Sequence, residues 1–172
     1  MVTFTHVTHG EFVAGVKALA EALAAEPDWV PSFLIGIGRG GLVPAVYLSH
    51  AMGLPMLSVD HSSQVPDFSD APLVRLAART RAGAKLLFVD DINDTGRTIA
   101  RMRQALLTAG AATDGVRFAT LIDNVASIER VDYRARTIDR HVTKDWFIFP
   151  WEAVAPAHSI AADAVEVPER TG

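Results

Sequence analysis

The stretch LLFVDDINDTGRTI, residues 86–99, joins an apolar run to a group of side chains that could do chemistry. Asp90 and Asp91 follow the apolar residues directly, at a point where an isolated charge is costly to bury. A third acid, Asp94, comes just before a Thr-Gly pair and a helical pattern. Carboxylates at such a place would accept hydrogen bonds from sugar hydroxyls or help to hold Mg²⁺.

Residues 94–98 lie where a predicted strand turns into the N-terminus of a predicted helix. Backbone N–H groups and the helix dipole favour an anion at such a place. Thr95 and Thr98 can add hydroxyl donors, and Gly96 lets the backbone approach a ligand closely. This segment therefore predicts a cradle for a monophosphate.

The elements that must position these residues alternate between strands and helices. Apolar spacing predicts helices over 10–25, 42–52 and 97–109, and strands over 33–37, 55–60, 85–90, 116–123 and near 134–140. Residues 61–83 show no clear apolar period and predict a functional or disordered loop. The alternation predicts an α/β fold with a mostly parallel sheet flanked by helices, whose ligands bind at the carboxyl ends of the strands.

Composition limits the class of protein. The 172 residues, 49% of them hydrophobic, predict one domain with a continuous core. A formal net charge of −4 gives no long-range attraction to nucleic acid, and no apolar run approaches the ~18 residues of a membrane span. The absence of cysteine excludes disulfides and thiolate catalysis, and a cytoplasmic location is the default expectation.

Three segments carry a resemblance to a known family. VDDINDTGRT resembles, position by position, the motif with which type I phosphoribosyltransferases bind 5-phosphoribosyl 1-pyrophosphate (PRPP). IGRGGLVPA, residues 37–45, resembles the pyrophosphate-binding stretch of the bacterial xanthine–guanine phosphoribosyltransferases, and DWFIFPW, residues 145–151, resembles their hood. The likeness spans about residues 30–152.

The resemblance implies an enzyme that transfers 5-phosphoribosyl from PRPP to a nucleobase and releases pyrophosphate, with Mg²⁺ as cofactor. It implies purine salvage with a 6-oxopurine such as xanthine, guanine or hypoxanthine, and a homo-oligomer, either dimer or tetramer. It also implies a type I phosphoribosyltransferase domain over 1–152, with a small hood at about 124–152. Residues 153–172 are then expected to form a loosely held tail.

The resemblance also assigns the residues around PRPP. Asp90 and Asp91 would hold the ribose hydroxyls, with Asp91 also at the metal. Arg39 and Gly40 would meet the pyrophosphate. The 5′-phosphate would lie on Thr95, Gly96, Arg97 and Thr98.

On the base side, the resemblance places Asp94, itself also a PRPP contact, as the general base toward N7 of a purine. Trp146 would stack on the base, and the backbone of Phe147 would read its edge. The 6-oxopurine enzymes have a lysine that donates to O6, and Asp123 stands at or beside its position here. An aspartate accepts where a lysine donates, so adenine or a non-purine base stays open.

Other interpretations also remain open. GIGRGG fits the G-x-G-x-x-G pattern, and Asp60 ends the next strand, which mimics a dinucleotide-binding fingerprint but leaves residues 90–98 unexplained. A non-catalytic regulator that senses PRPP is a third class, although the chain shows no basic stripe for nucleic acid. Trp146 as a core aromatic, and Asp123 turned away into a salt bridge, are simpler interpretations of those two residues.

Overall fold

A computed structural model describes residues 2–60 and 70–165. Within these ranges, strands and helices alternate along the chain. The strands are β1 Phe4–His6, β2 Phe33–Ile37, β3 Met56–Val59, β4 Leu86–Asn93, β5 Val116–Asn124, β6 Tyr133–Ile138 and β7 Trp146–Ile148. The helices are α1 His9–Ala24, α2 Gly38–Met52, α3 Asp70–Arg81, α4 Arg97–Thr108 and α5 Ala157–Val165, with short 3₁₀ turns at Thr113–Gly115 and Pro150–Glu152.

The central sheet has five strands in the order β3-β2-β4-β5-β6, and every neighbouring pair is parallel. The predicted parallel sheet flanked by helices is therefore confirmed. β1 and β7 form a separate parallel pair, in which Phe4 lies opposite Trp146. No helix in 2–60 and 70–165 has the length and apolar character needed to cross a bilayer.

Each face of the sheet carries its own apolar core. Leu19 of α1 and Leu48 of α2 belong to one cluster with Leu87 of β4. Met102 of α4 belongs to the other cluster, with Phe88 of the same strand. Burial of each such side chain contributes about 1.5–3 kcal/mol, so β4 is held rigidly on both faces just before the acid pair.

Helix α1 begins at His9, one residue before the predicted start. A capping box closes its N-terminus: the Glu11 N–H donates to Thr8 Oγ1 at 3.2 Å, and the Thr8 N–H donates to Glu11 Oε2 at 2.7 Å. The predicted apolar face is buried, and it consists of Phe12, Val16, Leu19 and Leu23.

Two boundaries near the site differ from prediction because tertiary contacts override local propensity. Helix α2 begins at Gly38 instead of 42, so the GRGG stretch forms its first turn rather than a loop. Gly41 packs directly on β4, where an added Cβ would lie 2.0 Å from the Val89 carbonyl oxygen. Strand β4 continues past residue 90 because its pairing with β5 extends to Asn93 opposite Asp123.

Two segments predicted to be irregular contain helices. Within 61–83, α3 buries Leu73, Leu76, Ala77 and Thr80, which recur at helical spacing among arginines and alanines. Residues 61–69 of that predicted loop lie outside the described ranges. In the predicted tail, Ala157–Val165 form α5, in which Ala164 is fully buried, and the expectation of a loosely held segment stays a prediction. The domain limit at 152 stays a prediction.

Candidate active site

The acid pair lies at the carboxyl end of β4, the middle strand of the five. Each carboxylate accepts one local backbone N–H: Asp91 N–H donates to Asp90 Oδ1 at 3.0 Å, and Ile92 N–H donates to Asp91 Oδ1 at 2.7 Å. These contacts fix the two side chains without using all their lone pairs, because an ionised carboxylate accepts about four hydrogen bonds. The remaining oxygens can face a ligand.

The negative charge of this pair is poorly compensated within the protein. Burial, and then the charge of Asp91, raises the pKa of Asp90 well above its ordinary value. Burial raises the pKa of Asp91 from 3.8 to about 7, and the nearby Glu152 carboxylate adds to the shift. A cation or a cluster of hydroxyl donors would relieve both effects, which is the chemistry expected of a ribose and metal site.

The first turn of α2 lies against the acid pair. A Cβ added to Gly40 would lie 2.5 Å from Asp91 Oδ2, so a larger residue here would displace this carboxylate. Arg39, next to it, is exposed, and its charge acts on the half-buried Glu152 carboxylate. The structure thus brings the predicted pyrophosphate turn and the predicted ribose acids to one place.

The predicted phosphate cradle forms the N-terminus of α4. Gly96 precedes the helix with a left-handed φ of 87°, and an added Cβ would lie 2.7 Å from Ser127 Oγ and 2.8 Å from Glu129 N. The Arg97 side chain is exposed, whereas Thr98 is partly buried in the first turn. Helix N-terminal amides at this position can receive an anion.

Asp94 has a partner that the sequence did not reveal. Arg140 Nε–H and Nη2–H donate to Asp94 Oδ1 at 2.9 Å and Oδ2 at 2.8 Å, which makes a bidentate ion pair. Both residues are buried, with Asp94 9% and Arg140 6% exposed. The contact joins positions far apart in the chain, and no motif or local spacing marks Arg140 in advance.

Asp123 is held by protein groups. Asn93 Nδ2 donates to Asp123 Oδ1 at 2.7 Å, and Ser127 Oγ donates to Asn93 Oδ1 at 3.1 Å. Asp123 is only 3% exposed, so its carboxylate is turned into a buried polar network rather than into a salt bridge. Its role as a base contact stays a prediction.

The hood aromatics belong to β7. Trp146 is partly buried, and its backbone N–H donates to the Thr3 carbonyl at 2.7 Å, which ties the start of β7 to the N-terminal segment. Phe147 is buried, with the guanidinium carbons of Arg136 and Arg140 at 5.0 and 5.3 Å from its ring centroid. Stacking of a base on Trp146 and reading by the Phe147 backbone stay predictions.

Glu152 was also missed, although it directly follows the hood motif. Burial raises its pKa, and its Oε2 accepts the Phe149 N–H at 2.8 Å. No group of three or more His, Cys, Asp or Glu in the described residues is arranged to hold a metal by protein ligands alone. Mg²⁺ commonly uses one or two carboxylates with substrate oxygens and water, and the uncompensated Asp91 fits that mode.

Comparison with known proteins agrees with this geometry. The phosphoribosyl transferase domain family matches residues 6–156. The chain is 29% identical over 125 residues to a xanthine-guanine phosphoribosyltransferase from Idiomarina loihiensis, which covers 69% of this chain and 70% of the relative.

Two solved structures share the fold. A purine phosphoribosyltransferase from Pyrococcus horikoshii has a TM-score of 0.63 and 26% identity, covering 88% of this chain and 96% of its own. A Neisseria gonorrhoeae hypothetical protein, solved with bound ppGpp, has a TM-score of 0.69 and 22% identity, covering 96% of this chain and 98% of its own. At that lower identity the second likeness supports the fold alone.

Gly41, the last glycine of the pattern that mimics a dinucleotide fingerprint, has a different use here, because it allows α2 to approach β4 just before the acid pair. The family match includes that turn, the acid pair and the hood together. The chain is therefore an enzyme of the phosphoribosyltransferase class and belongs to the type I phosphoribosyltransferase family.

Proposed function

We propose that this phosphoribosyltransferase acts in purine salvage and transfers 5-phosphoribosyl from PRPP to a 6-oxopurine. The observation that carries the proposal is the meeting of three groups at one edge of the sheet. These are the acid pair of β4, the glycine turn of α2 that touches Asp91, and the N-terminus of α4. Relatives named for xanthine, guanine and purines support the substrate class.

In the proposed reaction, the bond from C1′ of PRPP to pyrophosphate breaks, and a bond from C1′ to a base nitrogen forms. Positive charge develops on the ribosyl ring as the leaving group departs. The Asp90 and Asp91 carboxylates lie where they can stabilise that charge and orient the ribose hydroxyls. The N-terminus of α4 would anchor the 5′-phosphate, and the exposed Arg39 would meet the pyrophosphate.

The residues present fit a divalent cation. Asp91, with Asp90 beside it, would hold Mg²⁺ together with oxygens of PRPP, because burial disfavours the charged form of both acids and a bound cation would stabilise it. When bound, the ion supplies positive charge that neutralises the phosphate oxygens of the leaving group. The Gly40 backbone beside Asp91 keeps room for that arrangement.

A 6-oxopurine agrees with the environment of Asp123. A carboxylate turned toward the base would repel a carbonyl, but Asp123 Oδ1 is hydrogen-bonded to Asn93 in a buried network. Adenine, a non-purine base and a PRPP-sensing regulator remain the alternatives. A dimer or tetramer in the cytoplasm completes the proposal, and light scattering of the purified protein would measure its oligomeric state.

The test measures the release of pyrophosphate from PRPP in the presence of Mg²⁺, with xanthine, guanine, hypoxanthine, adenine, uracil and orotate in turn. Release with a 6-oxopurine supports the proposal. Release with adenine alone would keep the reaction class and overturn the substrate class. No release with any base, together with tight PRPP binding by calorimetry, would favour the regulator.

A further inference from the structure

Arg140 is a buried cation that connects two parts of the site. Its Nε–H and Nη2–H groups hold both oxygens of Asp94, and its Nη1 donates to the carbonyls of Thr143 at 3.1 Å and Asp145 at 2.6 Å. The guanidinium therefore fixes the turn between β4 and α4 to the segment that leads into the hood. Trp146 follows Asp145 directly, so the same contact sets the start of β7.

Asn124 strengthens this connection from the end of β5. Its Nδ2 donates to the backbone carbonyl of Asp94 at 2.9 Å, and its Oδ1 accepts the backbone N–H of Arg140 at 3.1 Å. The side chain of Arg140 also lies against Phe147, with 5.3 Å between the guanidinium carbon and the ring centroid. Backbone and side-chain contacts therefore fix Asp94 and Arg140 as one unit.

A bidentate arginine pair defines the plane of the carboxylate as well as its position. Both partners are buried, and a buried carboxylate without a partner is strongly disfavoured, so the pair with Arg140 holds Asp94 in one orientation. A base that enters between Asp94 and the hood would then meet an acceptor already set in place. Such prior placement is a large source of rate in reactions between two bound substrates.

We propose that Arg140 is a positioning residue for phosphoribosyl transfer, which holds Asp94 and the hood in the geometry that receives the base. This inference rests on the proposed function, because it assigns Asp94 to the base side of the site. Arg140 acts through Asp94 and is not itself required to touch the substrate. Its removal should therefore affect the use of the base more than the binding of PRPP.

The test compares four variants with a matched control. Arg140→Gln removes the charge, Arg140→Lys keeps the charge without the fork, and Asp94→Asn removes the carboxylate. The double variant Arg140→Gln/Asp94→Asn leaves no lone buried charge, so it remains informative if Arg140→Gln alone does not fold. Arg136→Gln is the control, because Arg136 also lies 5.0 Å from the Phe147 ring centroid but is exposed on β6.

We expect Arg140→Gln to lower kcat/KM for the accepted base by about 100-fold, with the PRPP dissociation constant changed by less than about threefold. Arg140→Lys should have roughly a tenth of the wild-type kcat/KM, since a lysine keeps the charge but cannot make the bidentate contact of a guanidinium. Arg136→Gln should stay within about twofold of wild type. The double variant should equal Asp94→Asn alone, because residues that act as a unit are not additive.

Three results would overturn the inference while the wild type remains active. Arg140→Gln could have the same kcat/KM for the base as Arg136→Gln. It could weaken PRPP binding as much as it lowers kcat/KM for the base. The double variant could have a kcat/KM about 100-fold below that of Asp94→Asn. A wild type that uses no base would instead refute the proposed function and this inference with it. The two failures are therefore distinguishable.

Discussion

At the scale of single residues, the site is organised by carboxylates in three different environments. Asp90 and Asp91 carry raised pKa values because burial disfavours their charge, and the charge of Asp91 adds to the shift of Asp90 as that of Glu152 adds to the shift of Asp91. Asp94 is paired with a guanidinium, and Asp123 is hydrogen-bonded to an amide. The first two are thus the acids that gain most from a bound cation, whereas Asp94 already has one in the protein.

The raised pKa of Asp91 predicts a pH-dependent stability for the metal-free protein. Because the folded pKa of about 7 exceeds the ordinary 3.8, folding favours the protonated acid. The contribution of the protonated Asp91 to the free energy of unfolding is fully present below about pH 4 and is lost as the pH rises through about 7. The loss amounts to up to about 4 kcal/mol. Urea unfolding in EDTA should therefore find Asp91→Asn more stable than wild type at pH 8.

At pH 4 the two proteins should unfold alike, since wild-type Asp91 is then protonated in the folded state. Asp28→Asn serves as control, because Asp28 is exposed in the connection between α1 and β2. An equal stability of wild type and Asp91→Asn at every pH would show that the Asp91 charge carries no such penalty.

At the scale of secondary structure elements, the prediction succeeded where local pattern decides and failed where distant contacts decide. Apolar spacing predicted α1 and the order of strands and helices. The start of α2 was missed because GRGG has weak helix propensity and is held by packing on β4. Helix α3 was missed because its buried positions lie among arginines and alanines.

The contact of α2 with β4 predicts that Gly41→Ala is destabilising. The added Cβ would lie 2.0 Å from the Val89 carbonyl oxygen, so the helix must move away from the strand. We expect a loss of about 1–3 kcal/mol or more in urea unfolding. Gly10→Ala is the control, since nothing lies within 4 Å of its added Cβ, and it should be neutral or slightly stabilising. Equal stability of the two variants would contradict this packing.

The turn before α4 predicts a second glycine effect, this time on ligand binding. Gly96→Ala combines a left-handed φ of 87° with a Cβ that meets the segment around Ser127 and Glu129. We expect calorimetry to show PRPP affinity lowered by about tenfold or more, because the helix N-terminus must shift. Gly53→Ala has a similar φ of 64° but open space, so it should cost stability and leave PRPP affinity unchanged. Equal PRPP affinity in both variants would argue against the cradle.

At the scale of the whole molecule, the sheet carries the candidate site at the carboxyl ends of its strands, and the hood, which comes later in the chain, lies beside it. The position of the acid pair and the phosphate turn followed from the sequence, because both lie within a few residues of one strand. The ion pair of Asp94 with Arg140 and the closeness of Glu152 to Asp91 depend on how the C-terminal segment packs against the carboxyl end of the sheet. No local sequence pattern indicates this packing, so the roles of Arg140 and Glu152 could not be predicted.

The pairing of the N-terminal strand β1 with β7 predicts that β1 supports binding of the base but not of PRPP. β1 pairs with β7, and Thr5 Oγ1 donates to Asp145 Oδ2 at 2.5 Å, next to the segment that Arg140 holds. Deletion of residues 2–7 should raise KM for the base by about tenfold and leave PRPP binding nearly unchanged. Steady-state kinetics and calorimetry would measure the two effects, and equal losses would show that β1 supports the whole fold instead.

The most direct test of the account is the identity of the product formed by the wild type, Asp91→Asn and Asp28→Asn. Each protein would be incubated with PRPP, Mg²⁺ and a 6-oxopurine, and the product analysed by mass spectrometry. We predict the nucleoside monophosphate from wild type and Asp28→Asn, and a rate lower by about 100-fold or more from Asp91→Asn. Equal rates from the two aspartate variants, or no nucleotide from the wild type with any 6-oxopurine, would contradict it.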